Sequence, residues 1–495
     1  MSNKALLRLQ DVQTVARYCG LSALIPAGMG LLSAPLAWSF GEKTGAVGFL
    51  MMSAISLATG GLLYICGIRR VLVNHYQIFW IISFSWLVIS LLGTVPFMYV
   101  GAAAPAGSAD AVLAQWSSAL FESVSGFTTT GLTMVAGREA ELGHSLQWWR
   151  SFSQWIGGIG IIMAVMMFIF SHRQSRAMVH VALGSVILRE SVHETALRVW
   201  AIYTVYTVVI VGLLIPTDMG AWQAVNYGMT AISTGGFGVT GNSLGDFSRT
   251  AQAITMLGLI LGALSFAAHQ RAFTRQFAKI AENSELRWFL ASMLILIGAM
   301  FISDLALGGN QAWPDVLFQS VTSLTTAGFS TGELSSWSLP LLMLIILAMV
   351  IGGCEGSAAG GIKISRFRRV LLELGNALRM LRTEPEAITD PEVVPEHFEL
   401  DNRMLQALFL TALWVLTLIT GVFLLSFMVD APLLQIIFDA VSALGIVGLS
   451  SGLTQPDLSP AAKGILTLMM WLGRLEIIPI LAIVLAPFYL HKPED

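Results

Sequence analysis

The sequence predicts an all-α integral membrane protein: four tandem helix–pore-loop–helix repeats around a central pore, plus two extra N-terminal transmembrane helices. Three observations carry that prediction: an apolar composition, an alternation of long and short apolar segments, and a motif that returns four times. Of the 495 residues, 55% are hydrophobic and 12% charged. Soluble globular proteins carry roughly 25% charged residues, so lipid solvates most of this surface. The net charge of −3 argues against a nucleic-acid partner, which would call for a basic surplus. Cys19, Cys66 and Cys354 lie in or beside apolar segments, without metal-ligand spacing, and read as small buried hydrophobes. The charged start (Lys4, Arg8, Asp11, Arg17) and the length of the first apolar stretch predict a retained membrane helix rather than a cleaved signal.

A helix needs roughly 20 apolar residues to cross a bilayer. Ten segments qualify, near 15–40, 46–67, 77–101, 148–170, 200–216, 251–269, 286–307, 339–354, 404–428 and 464–490. Shorter apolar pieces lie near 111–127, 219–232, 313–324 and 432–444, each followed at once by Gly, Ser or Thr. They are too short to span, and irregular backbone is tolerated at membrane depth only where it is buried in protein or lines a watery cavity. They therefore read as re-entrant pore loops. The division that follows is an N-terminal two-helix extension (1–70), then repeats over 71–172, 173–285, 286–402 and 403–495. With a cytoplasmic N-terminus and all short loops entering from outside, 21 of the 27 Lys and Arg fall inside. Five fall outside (Lys43, Arg138, Arg150, Arg249, Lys463) and Arg474 lies within a span. That bias predicts the orientation by the positive-inside rule.

Aligned on Gly131, Gly236, Gly328 and Gly448, the loops end FTTTGL, ISTGGF, LTTAGF and LGIVGL. The position after the glycine is Leu or Phe, and the position four before it is apolar (Phe127, Ile232, Leu324, Leu444). Five before it the residue is small, and six before it stands a hydroxyl (Ser125, Thr230, Thr322, Ser442). A second glycine follows in the next span, Gly157, Gly262, Gly352 and Gly473, at offsets of 26, 26, 24 and 25. Internal repeats place ion sites where they meet, and rings of backbone carbonyls can replace a cation's hydration oxygens. Glycine permits the backbone angles that turn successive carbonyls one way. Each short helix points its C-terminal end, about −0.5 charge, at the same place. The filter set is Thr128, Thr129, Thr130 and Gly131; Ser233, Thr234, Gly235 and Gly236; Thr325, Thr326, Ala327 and Gly328; Gly445, Ile446, Val447 and Gly448. None of these is a carboxylate, so carbonyl geometry is expected to select the ion, a monovalent cation.

The loops FESVSGFTTTGL and SLTTAGFSTGEL resemble those of the Trk/Ktr/HKT superfamily of potassium uptake proteins, as do WRSFSQWIGGIG, IGGCEGSAAGGIK and WLGRLE. The match runs from about residue 70 to the end, and the two extra N-terminal spans resemble the bacterial TrkH/TrkG branch. The resemblance implies potassium as the ion, a homodimer, a cytoplasmic TrkA-type nucleotide-binding regulatory subunit and the bacterial inner membrane. Ile446 stands where the other three loops have threonine, which keeps a carbonyl but loses a hydroxyl. Glu355 stands where small or neutral residues are more typical.

Residues 352–361, GGCEGSAAGG, hold five glycines inside an apolar span. Each glycine costs a helix about 1 kcal/mol relative to alanine, so the span should break here. The resemblance implies a gating loop beneath the filter formed by Gly352, Gly353, Glu355, Gly356, Gly360 and Gly361, with Arg474 projecting into the path. Glu355 either pairs with Arg474 or reaches cytoplasmic water. Glu122 and Asp439, nine residues before their glycines, read as braces for the pore helices, or as cation attractors at the mouth. The polar stretch 362–403 is a solvated linker or a partner-docking surface, to which 171–199 and 271–287 could add. No enzyme site is expected: His193-Glu194 lacks a second histidine four residues on. Against a gated pore stands a transporter coupling K⁺ to H⁺ or Na⁺, which needs a titrating residue on the path; arginine is a poor proton carrier.

Overall fold

Leu294, Ile295, Ile302 and Leu305, on one helix, are each 69–71% exposed. A face so apolar would be unstable in water and suits a helix with lipid on one side and protein on the other. The computed structural model describes residues 3–68, 75–160, 192–380 and 402–477, all helix and loop, with no strand among the described residues. The later parts of the expected spans 148–170 and 464–490, most of the polar stretch 171–199, and residues 381–401 of the polar stretch 362–403 lie outside the described residues. Six described helices are long and apolar enough to cross a membrane, or seven counting one bent pair.

Helices α1 (Asn3–Ser22) and α2 (Leu24–Ser39) join into the first span, and α3 (Lys43–Cys66) returns against them. Small residues let the backbones approach, as is usual between membrane helices. A Cβ on Gly20 would sit 2.7 Å from Gly60 O, and Ser53 Oγ donates to Ala27 O at 3.0 Å.

Each repeat has an outer helix, a 12-residue pore helix and an inner helix. In the first repeat the outer span is α4 (His75–Leu92) with α5 (Thr94–Ala103), then the short α6 (Ala109–Val112). Its pore helix is α7 (Trp116–Phe127), five residues shorter at its start than the apolar segment suggested, and its inner helix is α8 (His144–Trp155). The second has α9 (Val192–Leu214), pore helix α10 (Ala221–Ile232) and inner helix α11 (Arg249–Ala263) with α12 (Phe266–Phe273); α13 (Phe277–Ala281) links onward. The third has α14 (Ser284–Ala306), α15 (Trp313–Leu324) and α16 (Leu339–Ile351), followed by α17 (Ile364–Met380). The fourth has α18 (Asn402–Ser426), α19 (Leu433–Leu444) and α20 (Pro460–Arg474).

Inner helices α8, α11, α16 and α20 pack on pore helices α10, α15, α19 and α7, in that order. Each repeat thus leans on the next and the last leans on the first, which closes a ring. No inner helix crosses uninterrupted. A π-turn follows α8 at Ile156–Gly160, α11 and α12 bend by 103°, and α16 and α20 stop at Ile351 and Arg474. The segment near 251–269 is therefore a broken span, and the helix in the segment near 464–490 ends at Arg474, which hydropathy alone could not show. The cause is close approach: a Cβ on Gly157, Gly262 or Gly473 would lie 2.1, 2.5 or 2.0 Å from the carbonyl oxygen of Phe127, Ile232 or Leu444. These glycines let the inner helix touch the foot of its own pore helix. In the third repeat Gly352 instead faces Gly360 O, so the glycine-rich segment folds back on itself.

Candidate functional site

All four pore helices end in the same way. The amides of Thr129, Thr234, Thr326 and Ile446 donate to the carbonyls of Gly126, Ala231, Ser323 and Ala443 at 3.0–3.3 Å. The next amides, of Thr130, Gly235, Ala327 and Val447, reach back to Ser125, Thr230, Thr322 and Ser442 at 2.8–2.9 Å. This pair of bonds is a Schellman motif, whose capping residue takes the left-handed conformation and is usually glycine. Here it is β-branched in every repeat: Thr129, Thr234, Thr326 and Ile446 have φ of 58, 49, 53 and 50°. A β-branched residue there is a genuine outlier, costing about 1–3 kcal/mol. The aligned hydroxyls six residues before the glycine explain part of the closure. Ser125 Oγ and Ser442 Oγ accept from the amides of Gly131 and Gly448 at 3.0 Å. Thr230 Oγ1 instead bonds its own helix, and Thr322 Oγ1 is buried without a partner.

The four aligned glycines lie side by side. A Cβ on Gly131 would sit 2.3 Å from Gly235 O, one on Gly236 2.4 Å from Ala327 O, one on Gly328 2.1 Å from Val447 O, and one on Gly448 2.2 Å from Thr130 O. Each contact runs from one repeat to the next, and the fourth returns to the first. Their φ values of 92, 81, 76 and 95° exclude other residues on conformation as well. Above them opens a cavity of about 210 Å³, lined by all four glycines. Among the described residues no group of three or more His, Cys, Asp or Glu could hold a metal ion. Cation ligation at this ring would fall to carbonyls and hydroxyls.

Beneath the ring, residues 352–363 run across the axis as a strap. Gly360 N donates to Thr326 Oγ1 at 2.6 Å and Gly361 N to Gly445 O at 3.1 Å. Cys354 N and Ala358 N donate to Ala263 O and Gly262 O, at the bend of the second inner helix. Arg474 is bonded from several sides: Nη1 donates to Ala358 O at 3.0 Å and Thr129 Oγ1 at 3.3 Å, Nη2 to Gly157 O and Gly158 O at 2.6 and 2.8 Å. Glu355 is not among its partners. Glu355 Oε2 accepts from Ser365 Oγ at 2.9 Å, and its amide donates to Glu285 Oε1 at 2.6 Å. Glu476 pairs with Arg366, so neither acid neutralises Arg474 by direct contact.

A family profile for TrkH, a cation transport protein, matches residues 47–487. The chain is 30% identical to an uncharacterized cation transporter of Methanocaldococcus jannaschii, over 81% of this chain and 80% of that one. It is 27% identical to the Trk system potassium uptake protein TrkH of Escherichia coli, over 96% of this chain and 99% of that one. The crystal structure of the potassium transporter TrkH from Vibrio parahaemolyticus superposes with a TM-score of 0.82 at 25% identity, covering 97% of this chain and 99% of that one. The chain belongs to the TrkH family. It is a multi-pass membrane protein of cation transport, not an enzyme.

Within this TrkH fold, the polar residues nine before the filter glycines act as braces. Glu122 accepts from Arg150 Nε at 2.7 Å and Met134 N at 2.9 Å, and Asp439 from Ser451 N at 2.8 Å and Thr454 N at 3.0 Å. Tyr227 OH bonds Thr240 Oγ1 at 2.7 Å and Ser243 O at 2.9 Å in the equivalent loop. Gln319 breaks the pattern, its Nε2 having no partner. Arg150 and Lys463, expected at the outer surface, are 1% and 2% exposed. Arg150 ties the first repeat to the second through Gly238 O at 2.8 Å and lies 4.1 Å over the Phe237 ring. Gln154 was not predicted. It holds the second loop, donating to Gly235 O at 2.5 Å and accepting from Phe237 N at 3.1 Å. Only its place on the inner helix, three residues before Gly157, hinted at it.

Two acids line the outer cavity, Glu333, which is exposed, and Glu139, which is nearly buried. Glu139 is 9% exposed, and its Oε2 makes no hydrogen bond. Burial pushes its carboxyl up to about 7; nearby Arg150 opposes the rise and Glu122 adds to it. The group is neutral below that pH and charged above it. Raising the outer pH from 6 to 8 should therefore place a negative charge at the mouth and raise cation flux about twofold at low ionic strength. Flux from liposomes with Glu139→Gln should show no such rise; an undiminished pH response in that variant would clear Glu139 of the role.

Proposed function

We propose that the chain takes up potassium across the bacterial cytoplasmic membrane, with its N-terminus in the cytoplasm, through a selective pore gated from below. The observation that carries this reading is the closed ring of contacts among Gly131, Gly236, Gly328 and Gly448, each against the next repeat's carbonyl. Four identical helix ends present carbonyls around one axis, where they can stand in for the hydration shell of a K⁺ ion. The names of its relatives, potassium uptake proteins, support the choice of ion. The strap 352–363 is the gate, with Arg474 as its latch and as a fixed positive charge on the path. At about 4 Å and an effective dielectric of 20, such a charge opposes a cation by roughly 4 kcal/mol. The active form is a homodimer, and a TrkA-type nucleotide-binding subunit docks on the cytoplasmic polar segments, including α17, to move the strap.

Selectivity tests the filter. Gly131→Ser places a side chain in a left-handed position and against Gly235 O, so the K⁺ over Na⁺ permeability ratio should fall about tenfold or more, a barrier change of about 1.4 kcal/mol. An unchanged ratio in a folded variant would remove Gly131 from the filter. Flux tests the gate. Arg474→Ala frees the strap from the first repeat and removes the charge, and should raise basal K⁺ flux while the K⁺ over Na⁺ ratio stays as in the parent. Reduced flux with normal insertion and dimer formation would make Arg474 a structural brace.

A further inference from the structure

A second cavity, of about 820 Å³, opens on the lipid-facing side of the third repeat, between α14, α16 and α17. Its walls are apolar stripes, with Ile295 on α14 and Leu347 on α16 both half-exposed or more. Its inner end reaches Leu324, at the foot of the third pore helix, and Ile351, the last residue before the strap. Two arginines, Arg287 and Arg368, stand at one end only, and no acidic residue lines it. Arg368 donates from Nη1 to Ser284 Oγ at 2.7 Å, while its Nε is buried without a partner. Glu285, on the same turn of α14, is committed to the amide of Glu355.

The dimensions match one leaflet. Along α14 the lining runs from Ser284 to Ala299, about 22 Å at 1.5 Å per residue, against about 20–22 Å for one leaflet with its headgroup layer. The arginines then fall at headgroup level, where basic pockets between helices take anionic lipid heads. We propose that this groove holds an acyl chain of a phospholipid whose anionic headgroup sits on Arg287 and Arg368. The lipid packs against both ends of the strap's anchorage, Ile351 before it and α17 after it. Its effect on flux rests on the gating role proposed above; its binding does not.

Native mass spectrometry of the full-length protein, titrated with dioleoylphosphatidylglycerol or dioleoylphosphatidylcholine, tests the site. The anionic lipid should bind about tenfold or more tightly than the neutral one, as expected for two arginines near the surface. The double variant Arg287→Gln, Arg368→Gln should abolish that preference and leave phosphatidylcholine binding unchanged. Ser292→Trp, which fills the middle of the groove and keeps both arginines, should also weaken phosphatidylglycerol binding by a similar factor. Parent-like preference in the double-arginine variant, or parent-like phosphatidylglycerol binding in Ser292→Trp, each checked for unchanged thermal unfolding, overturns the proposal. So would disulfide-linked dimers of Ile295→Cys in a Cys66→Ser background, which would seat a second copy on this face. A parent-like flux response to phosphatidylglycerol in the double-arginine variant, with binding lost, would separate the lipid site from the gate.

Discussion

Four β-branched residues are held in left-handed backbone at the feet of the pore helices, and the ring, the vestibule and the strap are arranged around them. Each turns the chain sharply enough that the following glycine meets the next repeat's carbonyl. At about 1–3 kcal/mol each, this strain persists only because the surroundings over-determine it. Two backbone hydrogen bonds close every turn, and the capping residues are almost wholly buried. Braces fix the ascending chain beyond: Glu122 with Arg150, Asp439 with its serines and threonine, Tyr227 with its loop.

The capping side chains also point downward, which couples the ring to the strap. Thr129 meets Arg474, Thr326 accepts from Gly360, and Ile446 packs against Gly360 and Gly473. The hydroxyl missing from the fourth loop is therefore replaced by an apolar contact to the strap. Above the capping residues most polar groups are tied within the pore helices or between neighbouring repeats, with Gln319 Nε2, Thr322 Oγ1 and Glu139 Oε2 as exceptions. Below them, the strap is held by backbone hydrogen bonds to Gly262, Ala263, Val350, Ile351 and Gly445 and by Arg474, and three of its glycines (Gly352, Gly356, Gly361) take φ of 73, 68 and 76°.

Much of this was legible in the sequence because the constraint is steric and local. Glycine is the only residue that fits against a neighbouring carbonyl at left-handed φ, so Gly131, Gly236, Gly328 and Gly448 had to align. The capping position was hidden because threonine and isoleucine give no signal of a left-handed residue. Broken inner helices were hidden because hydropathy registers composition, not direction, and the 103° bend after Ala263 keeps an apolar sequence throughout. Arg150 and Gln154 look like residues at a helix end. Their partners, Glu122, Gly238 and Gly235, lie 28 to 88 positions away in the chain, and a single sequence holds no record of that pairing. Glu355 and Arg474 were natural partners by charge alone, yet backbone carbonyls at the strap and the first repeat satisfy the arginine better.

On the proposed function, the ring of four helix ends selects K⁺ and passes it down its own gradient. The direct measurement is the reversal potential of purified protein in a planar bilayer, with opposed K⁺ and Na⁺ gradients and a pH step imposed across it. A selective pore predicts reversal at the K⁺ equilibrium potential, unmoved by the pH step. Reversal that shifts with the proton gradient, or that follows Na⁺, would contradict the account.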